Sequence, residues 1–322
     1  MKYIVTGAAG LIGGAVVSAL NQQGETDILA VDHLGTTEKW KNLRSLKFSD
    51  YLEKDLFRRR LNEGLFRDSG VEAIIHMGAC SSTTERDASY LADNNFNVTK
   101  ELAEFAVRNQ IRFLYASSAA TYGGGEHGYV DDEEAMDQLR PLNMYGYSKL
   151  MFDLWAKRRG LLGSITGMKF TNVFGPNEKH KGGMRSMVLR AFEQITESGK
   201  VKLFKSDRPE YADGEQKRDF IYVKDVAQMI LALMRLNAKG VYNIGSGRAE
   251  TWNELVTEVF RALGRTPEIE YIDMPETLKG KYQYYTCADM MKFHALNTGL
   301  AARPLSETIG DYVRNHLIPE RV

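Results

Sequence analysis

The feature that most constrains the fold lies at the N-terminus, where an apolar run leads at once into spaced glycines and a helical pattern. The run Tyr3 to Thr6 continues as Gly7-Ala8-Ala9-Gly10-Leu11-Ile12-Gly13, and a helix is predicted over Leu11 to Asn21. Glycines at such a turn let the backbone approach a pyrophosphate, whose charge is stabilised by free amide groups at the helix N-terminus. Three glycines alone also suit a tight turn, but strand, turn and helix occur in the order that a dinucleotide site requires.

Short apolar runs rich in β-branched residues alternate with longer helical patterns along the first half of the chain. The predicted strands are Tyr3 to Thr6, Ile28 to Asp32, Ala73 to His76, Phe113 to Ser117 and Ile165 to Phe170. The predicted helices are Leu11 to Asn21, Ala92 to Asn109 and Met144 to Arg158. This alternation predicts an α/β fold, a doubly wound, Rossmann-like parallel sheet covered on both faces.

The pattern changes after Phe170, where turn residues interrupt it and a polar, strand-poor stretch runs from Ser206 to Lys217. A strand at Asp219 to Val223, a helix at Asp225 to Leu236 and a strand at Val241 to Ile244 return the chain to the first lobe. We therefore expect a dinucleotide-binding lobe of residues 1–171 plus about 219–246. A smaller C-terminal substrate-binding lobe takes residues 172–218 plus about 247–322.

Composition excludes several classes of partner. The chain has 42 basic and 42 acidic residues, so no bulk field attracts nucleic acid or membrane. Its two cysteines, Cys80 and Cys287, are too few for a disulfide framework and lack the spacing of a zinc site. There is no run of 18 apolar residues, and a glycine-rich turn stands where a signal peptide would still be apolar. We expect a soluble cytoplasmic protein without a metal.

Acidic and basic residues follow the second strand. Asp32 ends that strand, 19 residues beyond Gly13, where an acidic residue meets the adenosine ribose and favours NAD. Lys39 and Lys54 follow, and a lysine folded against the ribose would hold the 2′-phosphate of NADP. Both lysines are also compatible with a solvated surface. NADP and NAD therefore both stay open at this point.

A catalytic pattern lies in the central part of the chain. Tyr145 and Lys149 form a Y-x-x-x-K pair that shares one face of the helix predicted over Met144 to Arg158. A nearby ammonium favours the phenolate, so that Tyr145 is able to accept a hydroxyl proton. Ser118 follows the strand that ends at Ser117, at the edge where open α/β sheets bind ligands. Each feature alone has a structural explanation, a cap or a stacked pair, but all occur in the order of one enzyme class.

With these residues in place, nearly the whole chain resembles the extended short-chain dehydrogenases/reductases, and among them the family of ADP-glycero-manno-heptose 6-epimerases. The stretches that carry the resemblance are HMGACSSTTERD (76–87), DNNFNVTKEL (93–102), FLYASSAATYGG (113–124), PLNMYGYSKLMFD (141–153), FTNVFGPNEKHKG (170–182), RDFIYVKDVA (218–227), YNIGSGRAE (242–250) and LKGKYQ (278–283). The resemblance implies NADP-dependent inversion of carbon 6 (C6) of the heptose through a 6-keto intermediate. It also implies a role in supplying lipopolysaccharide inner-core precursor and a homo-oligomer, a pentamer by resemblance.

The resemblance also assigns the site. It implies a catalytic set of Ser118, Tyr145, Lys149 and Lys181. The implied cofactor residues are Gly7, Gly10, Leu11, Ile12, Gly13, Asp32, His33, Lys39, Lys54, Met77, Gly78, Ala79, Cys80, Ser81, Asn94, Lys149, Val173 and Lys181. The implied contacts to the ADP-sugar are Ser118, Asn172, Gly183, Arg190, Phe204, Arg218 and Tyr282. Met77 and His33 depart from the family, which often has Glu and Asn at these positions.

The proposed reaction works on two faces of one carbon, so a single acid/base group is awkwardly placed for both halves. Lys181 would complement Tyr145, and neighbouring cations in Glu178-Lys179-His180-Lys181 are expected to lower its pKa. The alternative is that this loop only grips the diphosphate.

The same residues fit other functions less well or leave them open. A UDP-sugar 4-epimerase stays open, because the triad does not exclude it. A 4,6-dehydratase is disfavoured, since Ala119 and Ala120 follow Ser118 where such enzymes commonly carry an acidic pair. A cofactor-sensing regulator without chemistry usually loses the tyrosine or the lysine of the pair, and both are present here.

Overall fold

The computed structural model describes residues 1–67, 69–276 and 282–319, and its centre is a parallel sheet. The strands of this sheet are β1 (Tyr3–Thr6), β2 (Ile28–Asp32), β3 (Asp50–Glu53), β4 (Ala73–His76), β5 (Arg112–Ser118), β6 (Thr166–Phe170) and β11 (Gly240–Ile244). Their order is β11-β6-β5-β4-β1-β2-β3, with every neighbouring pair parallel. The order reverses beside β1, and ligands of open sheets bind at the carboxyl ends of strands at such a point.

Helices cover both faces of the sheet, which confirms the predicted doubly wound fold. The longer helices are α1 (Leu11–Gln22), α2 (Lys54–Asn62), α4 (Val98–Arg108), α5 (Met144–Arg158), α6 (Met187–Ser198), α7 (Val223–Arg235), α8 (Trp252–Ala262) and α10 (Leu305–Tyr312), with short α3 (Ala88–Leu91) and α9 (Met291–His294). Val16 of α1 and Ile230 of α7 belong to the core on one face, and Leu102 of α4 and Phe152 of α5 to the core on the other. Within the described ranges, no helix has the length and apolar character needed to cross a bilayer.

The predicted elements of the first half agree closely with the structure. β1, β2, β4 and α5 have the predicted bounds, while β5 extends one residue further at each end. The predicted helix Ala92 to Asn109 divides into a π-helical segment, Ala92–Asn97, and α4. The π-helical segment inserts an extra residue per turn, which apolar spacing alone does not reveal. β3 and α2 were not predicted from the sequence.

A separate core lies in the second part of the chain. It joins α6, α8 and α10 to two parallel strands, β8 (Val201–Phe204) and β13 (Ile269–Ile272), through side chains such as Phe192, Val256 and Ile309. Small pairs connect this part to the sheet: β7 (Asn172–Phe174) with β10 (Phe220–Tyr222), and β9 (Lys217–Arg218) with β12 (Glu250–Thr251).

The division into two lobes is retained as a proposal. The cores divide the chain at somewhat different positions from this proposal. Ala288, Met290 and Phe293, which the proposed division assigns to the second lobe, pack in the core formed by α1 and α7.

Candidate active site

The glycine-rich turn packs so closely against neighbouring backbone that its glycines admit no side chain. A Cβ on Gly13 would lie 2.1 Å from the carbonyl oxygen of Gly7, and one on Gly7 would lie 2.8 Å from the amide nitrogen of Gly78. Gly7 has a φ of +67°, a region that favours glycine. No side chain caps the first turn of α1 at Gly10, so the amides of Leu11 and Ile12 remain available to an anion. The turn therefore fits the pyrophosphate of a dinucleotide.

The end of β2 carries a buried acidic group that is already well partnered. The carboxylate of Asp32 accepts hydrogen bonds from the amides of Ala9, at 2.7 Å, and His33, at 2.6 Å, and forms an ion pair with Lys39. Lys54 donates to the side-chain oxygen of Asn94 at 3.0 Å. Three of the predicted adenosine-side residues, Asp32, His33 and Lys39, are thus brought together beside Ala9 of the glycine-rich turn.

The loop after β4, which contains the predicted residues Met77, Gly78, Ala79, Cys80 and Ser81, is held by an asparagine that the sequence analysis missed. Asn95 is 1% exposed, and its amide oxygen accepts from Cys80 N at 2.9 Å while its nitrogen donates to Cys80 O at 3.0 Å. The same nitrogen donates to Ser148 Oγ at 3.0 Å, and that hydroxyl donates to Tyr145 O at 2.7 Å. Asn95 therefore connects the loop to the helix of the predicted catalytic pair.

Ser118 and Tyr145 meet at the carboxyl end of β5. α5 begins one residue before Tyr145, where the Asn143 side chain caps the helix by accepting from Gly146 N at 2.8 Å. A Cβ on Gly146 would lie 2.7 Å from Ala120 O, so only glycine allows α5 to approach the segment after β5 so closely. Burial raises the pKa of Tyr145, and a hydrogen bond with Ser118 opposes that rise.

Lys149 lies one turn further along α5 and is 4% exposed. Its ammonium donates to Ala116 O at 2.8 Å. Burial lowers the pKa of Lys149 to about 8, and the negative charge of Asp153 opposes this shift. The sequence argument expected the ammonium to lower the pKa of Tyr145, whereas in the structure burial has the larger effect on that phenol and the net shift is upward.

A buried ionic network lies below the catalytic pair. Asp153 and Lys169 are both fully buried and their charged atoms are 3.1 Å apart. The Asp153 carboxylate also accepts from Tyr115 OH at 2.9 Å and Ser117 Oγ at 2.7 Å. This network fixes α5 against β5 and β6, since Ser117 immediately precedes Ser118. The sequence analysis did not identify it, although a carboxylate one turn after Lys149 on a buried helix was a usable signal.

Lys181 lies in a short 3-10 segment, Lys179–Met184, whose base is fixed by Glu178. The buried Glu178 carboxylate accepts from Gly175 N at 3.3 Å, Ser186 N at 2.5 Å and Ser186 Oγ at 2.7 Å. Burial lowers the pKa of Lys181, and the charge of Glu178 opposes this. The direction is the predicted one, but its cause is burial and not the neighbouring cations. Among the residues that the structure describes, the Lys181 ammonium has no hydrogen-bond partner.

Three of the predicted substrate residues form one cluster. The Arg218 guanidinium lies 5.0 Å from the centre of the Tyr282 ring, and Phe204 meets that ring edge-on at 6.4 Å. Trp252, which was not predicted, donates to Tyr282 OH at 2.8 Å and also faces Arg218. Burial lowers the pKa of Arg218. A buried cation among aromatic rings suits an anionic ligand with a flat base.

The remaining predicted residues are more dispersed. Arg190 donates to Gly183 O, and both residues are exposed. Asn172 is exposed and donates to Asp219 O at 3.1 Å. Val173 and Ile12 are partly buried and pack against the core formed by α1 and α7. The stretch LKGKYQ (278–283), which contributed to the resemblance, lies outside the described residues except for Tyr282 and Gln283.

Comparison with known proteins defines the class. The chain belongs to the NAD dependent epimerase/dehydratase family, whose sequence model matches residues 3–245. The resemblance that the motifs indicated is thereby confirmed at the level of the family.

Relatives within this family cover nearly the whole chain. It is 51% identical over 316 residues to the ADP-L-glycero-D-manno-heptose-6-epimerase of Nitratidesulfovibrio vulgaris, covering 98% of each chain. It is 46% identical over 327 residues to the enzyme of the same name from Fusobacterium nucleatum, again covering 98% of each. The crystal structure of Helicobacter pylori ADP-L-glycero-D-manno-heptose-6-epimerase is similar with a TM-score of 0.83 and 26% identity, over 98% of this chain and 95% of that one.

Proposed function

We propose that this protein is an epimerase that inverts C6 of the heptose in ADP-glycero-manno-heptose and supplies precursor for the lipopolysaccharide inner core. The observation that carries the proposal is the 51% identity, over 98% of both chains, to a relative of that name. The site supports it, because a turn that fits a dinucleotide, a Tyr145–Ser118 contact and the Arg218 cluster occur in one chain.

The proposed cofactor is a nicotinamide dinucleotide, held by the glycine-rich turn, Asp32, the loop at 77–81 and Lys149. When bound, an oxidised nicotinamide supplies reversible two-electron oxidation of an alcohol carbon and a positive ring charge. NADP is proposed over NAD. The charge of Asp32 is already compensated by Lys39 and two backbone amides, which reduces its repulsion of a 2′-phosphate. Lys54 adds a second cation near Asn94.

Tyr145 is proposed to remove the proton from the C6 hydroxyl in the oxidative half of the reaction. Ser118 hydrogen-bonds to the phenol and stabilises its deprotonated form. Lys149 contributes a positive charge one turn away and is placed to hold the nicotinamide ribose. The product of this half-reaction is a 6-keto sugar, which turns within the site before it is reduced on its other face.

Lys181 is proposed as the second acid/base group, which gives the proton to the 6-keto oxygen on the other face. Burial lowers its pKa, so its proton is released more readily than that of an exposed lysine. Its ammonium has no hydrogen-bond partner within the described ranges, so a ligand oxygen does not have to displace one. The Arg218 cluster is proposed to hold the ADP group while the sugar turns. We further propose that the enzyme works in the cytoplasm as a homo-oligomer, a pentamer by resemblance.

The proposal is tested with the purified protein. Mass spectrometry of the bound dinucleotide is expected to identify NADP. Incubation with ADP-D-glycero-D-manno-heptose is expected to give the L-glycero epimer by proton NMR, while UDP-glucose stays unchanged. Conversion of UDP-glucose to its 4-epimer, with ADP-heptose untouched, would replace the proposal by its nearest rival, a UDP-sugar 4-epimerase.

A further inference from the structure

One amide group connects the glycine-rich turn to the loop of Lys181. Asn42 lies in a short 3-10 segment, Glu38–Leu43, that also carries Lys39. Its side-chain nitrogen is 2.7 Å from Ala9 O in the turn and 3.2 Å from Asn177 O. The same nitrogen is 3.2 Å from Nδ1 of His180, the neighbour of Lys181.

The loop at the other end of these hydrogen bonds packs directly on α1. A Cβ on Gly14, in the first turn of α1, would lie 3.3 Å from Asn177 Nδ2. Asn177 itself has a φ of +75°, a turn conformation that asparagine tolerates. Glu178 fixes the loop on the opposite side, through Ser186. Asn42 therefore joins this loop to the glycine-rich turn by hydrogen bonds, and Glu178 joins it to the start of α6.

The surroundings of His180 lower the pKa of its ring. Burial, Lys39 and Lys181 together lower the pKa of His180 to about 4, so the ring is neutral near pH 7. A neutral ring has one nitrogen without a proton, and Nδ1 in that state accepts the Asn42 hydrogen bond. The positive charges of two lysines thus act on the His180 ring. Lys39 comes from the adenosine side of the site, and Lys181 is the residue proposed to act in catalysis.

We infer that Asn42 is a positioning residue that couples dinucleotide binding at the glycine-rich turn to the placement of the loop carrying Lys181. The inference rests on the proposed function, since it assumes the dinucleotide site and the role of Lys181. A pyrophosphate at the turn fixes the peptide of Ala9 and the Lys39 segment. Asn42 transmits this ordering to Asn177 and His180, and so to Lys181, the next residue.

Hydrogen exchange measured by mass spectrometry tests the coupling without any turnover. In the wild-type protein, saturating NADP+ is expected to slow exchange in residues 7–14 and also in residues 176–184. In Asn42→Leu, which has about the same size but no N–H group, residues 7–14 stay protected and residues 176–184 lose their protection. Asn42→Ser, which fits the same space, is measured in the same way in case the leucine variant does not fold.

Asn21 provides the matched control. It lies in the last turn of α1 and joins two loops through hydrogen bonds to Glu25 O and Lys47 O, both at 2.8 Å. Asn21→Leu removes a similar set of bonds in the same lobe, and it is expected to leave the NADP+-dependent protection of both segments unchanged. Loss of protection at 176–184 in this variant as well would overturn a specific role for Asn42.

The remaining outcomes separate the inference from the function on which it rests. Protection of residues 176–184 that persists in Asn42→Leu overturns the coupling, as does wild-type protection confined to residues 7–14. Absence of protection at residues 7–14 in the wild type, with NADP+ and with NAD+, contradicts the proposed cofactor site and the coupling together.

A double-mutant cycle of Asn42 and Lys181, measured by kcat, gives an independent test of the coupling. Asn42→Leu is expected to lower kcat by roughly 10-fold, the effect of losing one or two hydrogen bonds. In a Lys181→Met background the same change is expected to lower kcat by less than about 2-fold, because two residues that act through one group are not additive. Equal losses in both backgrounds would show that Asn42 acts independently of Lys181 and would overturn the inference.

Discussion

At the scale of single residues, the proposed chemistry depends most on one phenol. Burial raises the pKa of Tyr145, so the protein without ligand holds it protonated at neutral pH. The Ser118 hydrogen bond acts in the opposite direction, and the positive ring of a bound oxidised nicotinamide would add to it. The phenol is therefore expected to become a base only in the complete complex, which limits proton transfer in the empty site.

Tyr145→Phe is predicted to lower kcat by roughly 10²–10⁴-fold, because it removes the group that transfers the proton. The Kd for NADP+ should stay within about 2-fold, since the phenol acts on the sugar hydroxyl. Tyr147→Phe is the control, because Tyr147 lies on the same helix but is 55% exposed. Steady-state kinetics and calorimetry measure both effects. A Tyr145→Phe enzyme with more than about a tenth of wild-type kcat would contradict the assignment.

Lys181 offers a second prediction, because a base and a phosphate clamp differ in kinetics. A base acts only in the chemical step, so Lys181→Met should lower kcat by roughly 10²-fold with little change in KM. Lys181→Arg should be nearly as slow, since a guanidinium keeps its charge but does not release its proton near neutral pH. A Lys181→Arg enzyme that epimerises ADP-heptose at close to the wild-type rate would leave Tyr145 as the acid/base group for both faces.

The buried His76 makes the free energy of unfolding depend on pH in the acid range. It is buried at the end of β4, with Thr6 Oγ1 at 2.7 Å from Nδ1 and Thr99 Oγ1 at 3.0 Å from Nε2. Burial, and secondarily the charge of Lys149, lower its pKa to about 3. The unfolded chain therefore binds a proton that the folded chain excludes between about pH 6.5 and about pH 3. Stability from the neutral ring is present above this window and is lost as the pH falls through it.

Replacing His76 should reduce this acid sensitivity. The free energy of unfolding of the wild type is predicted to fall by about 1.4 kcal/mol per pH unit more steeply than that of His76→Gln within the window. Urea unfolding at a series of pH values measures the slope. His127→Gln, at an exposed histidine, should keep the wild-type slope. Parallel slopes for wild type and His76→Gln would contradict the prediction.

At the scale of secondary-structure elements, the placement of α5 depends on the buried Asp153–Lys169 pair. Asp153→Asn leaves the Lys169 ammonium buried without its counter-ion, and this is expected to destabilise the protein by about 3–5 kcal/mol. Asp137 is the control, because it pairs with Lys157 on the surface, where Asp137→Asn should destabilise the protein far less than Asp153→Asn. Chemical denaturation measures both. Similar small losses for the two variants would mean that the buried pair does not fix α5.

The elements that were predicted well are those buried on both faces. β1, β2 and β4 are fully buried, so their apolar runs mark their ends directly. β3 is an edge strand in which only Leu52 is buried, and α2 contains the charged run Lys54–Asn62, so neither has a clear apolar pattern. The short strand pairs of the second part form between segments distant in the chain, which local periodicity does not detect.

The residues of the site also differ in how well the sequence predicts them. Residues in local motifs, such as Gly13, Tyr145 and Lys149, were predicted because spacing along one helix or turn defines their geometry. Asn95, Lys169 and Asn42 were missed, because their partners lie far away in the sequence and only the fold brings them together. The roles given to Arg190 and Phe204 came from the resemblance alone, and like the role given to Lys54 they stay predictions.

At the scale of the whole molecule, the parallel sheet and the second core have different contributions to the proposed reaction. The sheet carries the glycine-rich turn, Ser118 and the catalytic helix, while Arg218 stands where β9 meets β12 beside the second core. Holding the ADP group away from the reacting carbon allows the sugar to rotate while the nucleotide stays bound. Inversion at one carbon requires such a rotation, since the oxidising group stays on one side.

The most direct test of the account uses ADP-D-glycero-D-manno-heptose that carries deuterium at C6, incubated with the protein in ordinary water. The account predicts that the L-glycero product keeps deuterium at C6, because the hydrogen removed from this carbon returns to the same carbon without exchange with solvent. Proton NMR and mass spectrometry of the product measure the label. Inversion with loss of deuterium to water, or no inversion at C6, would contradict an oxidation and reduction at that carbon.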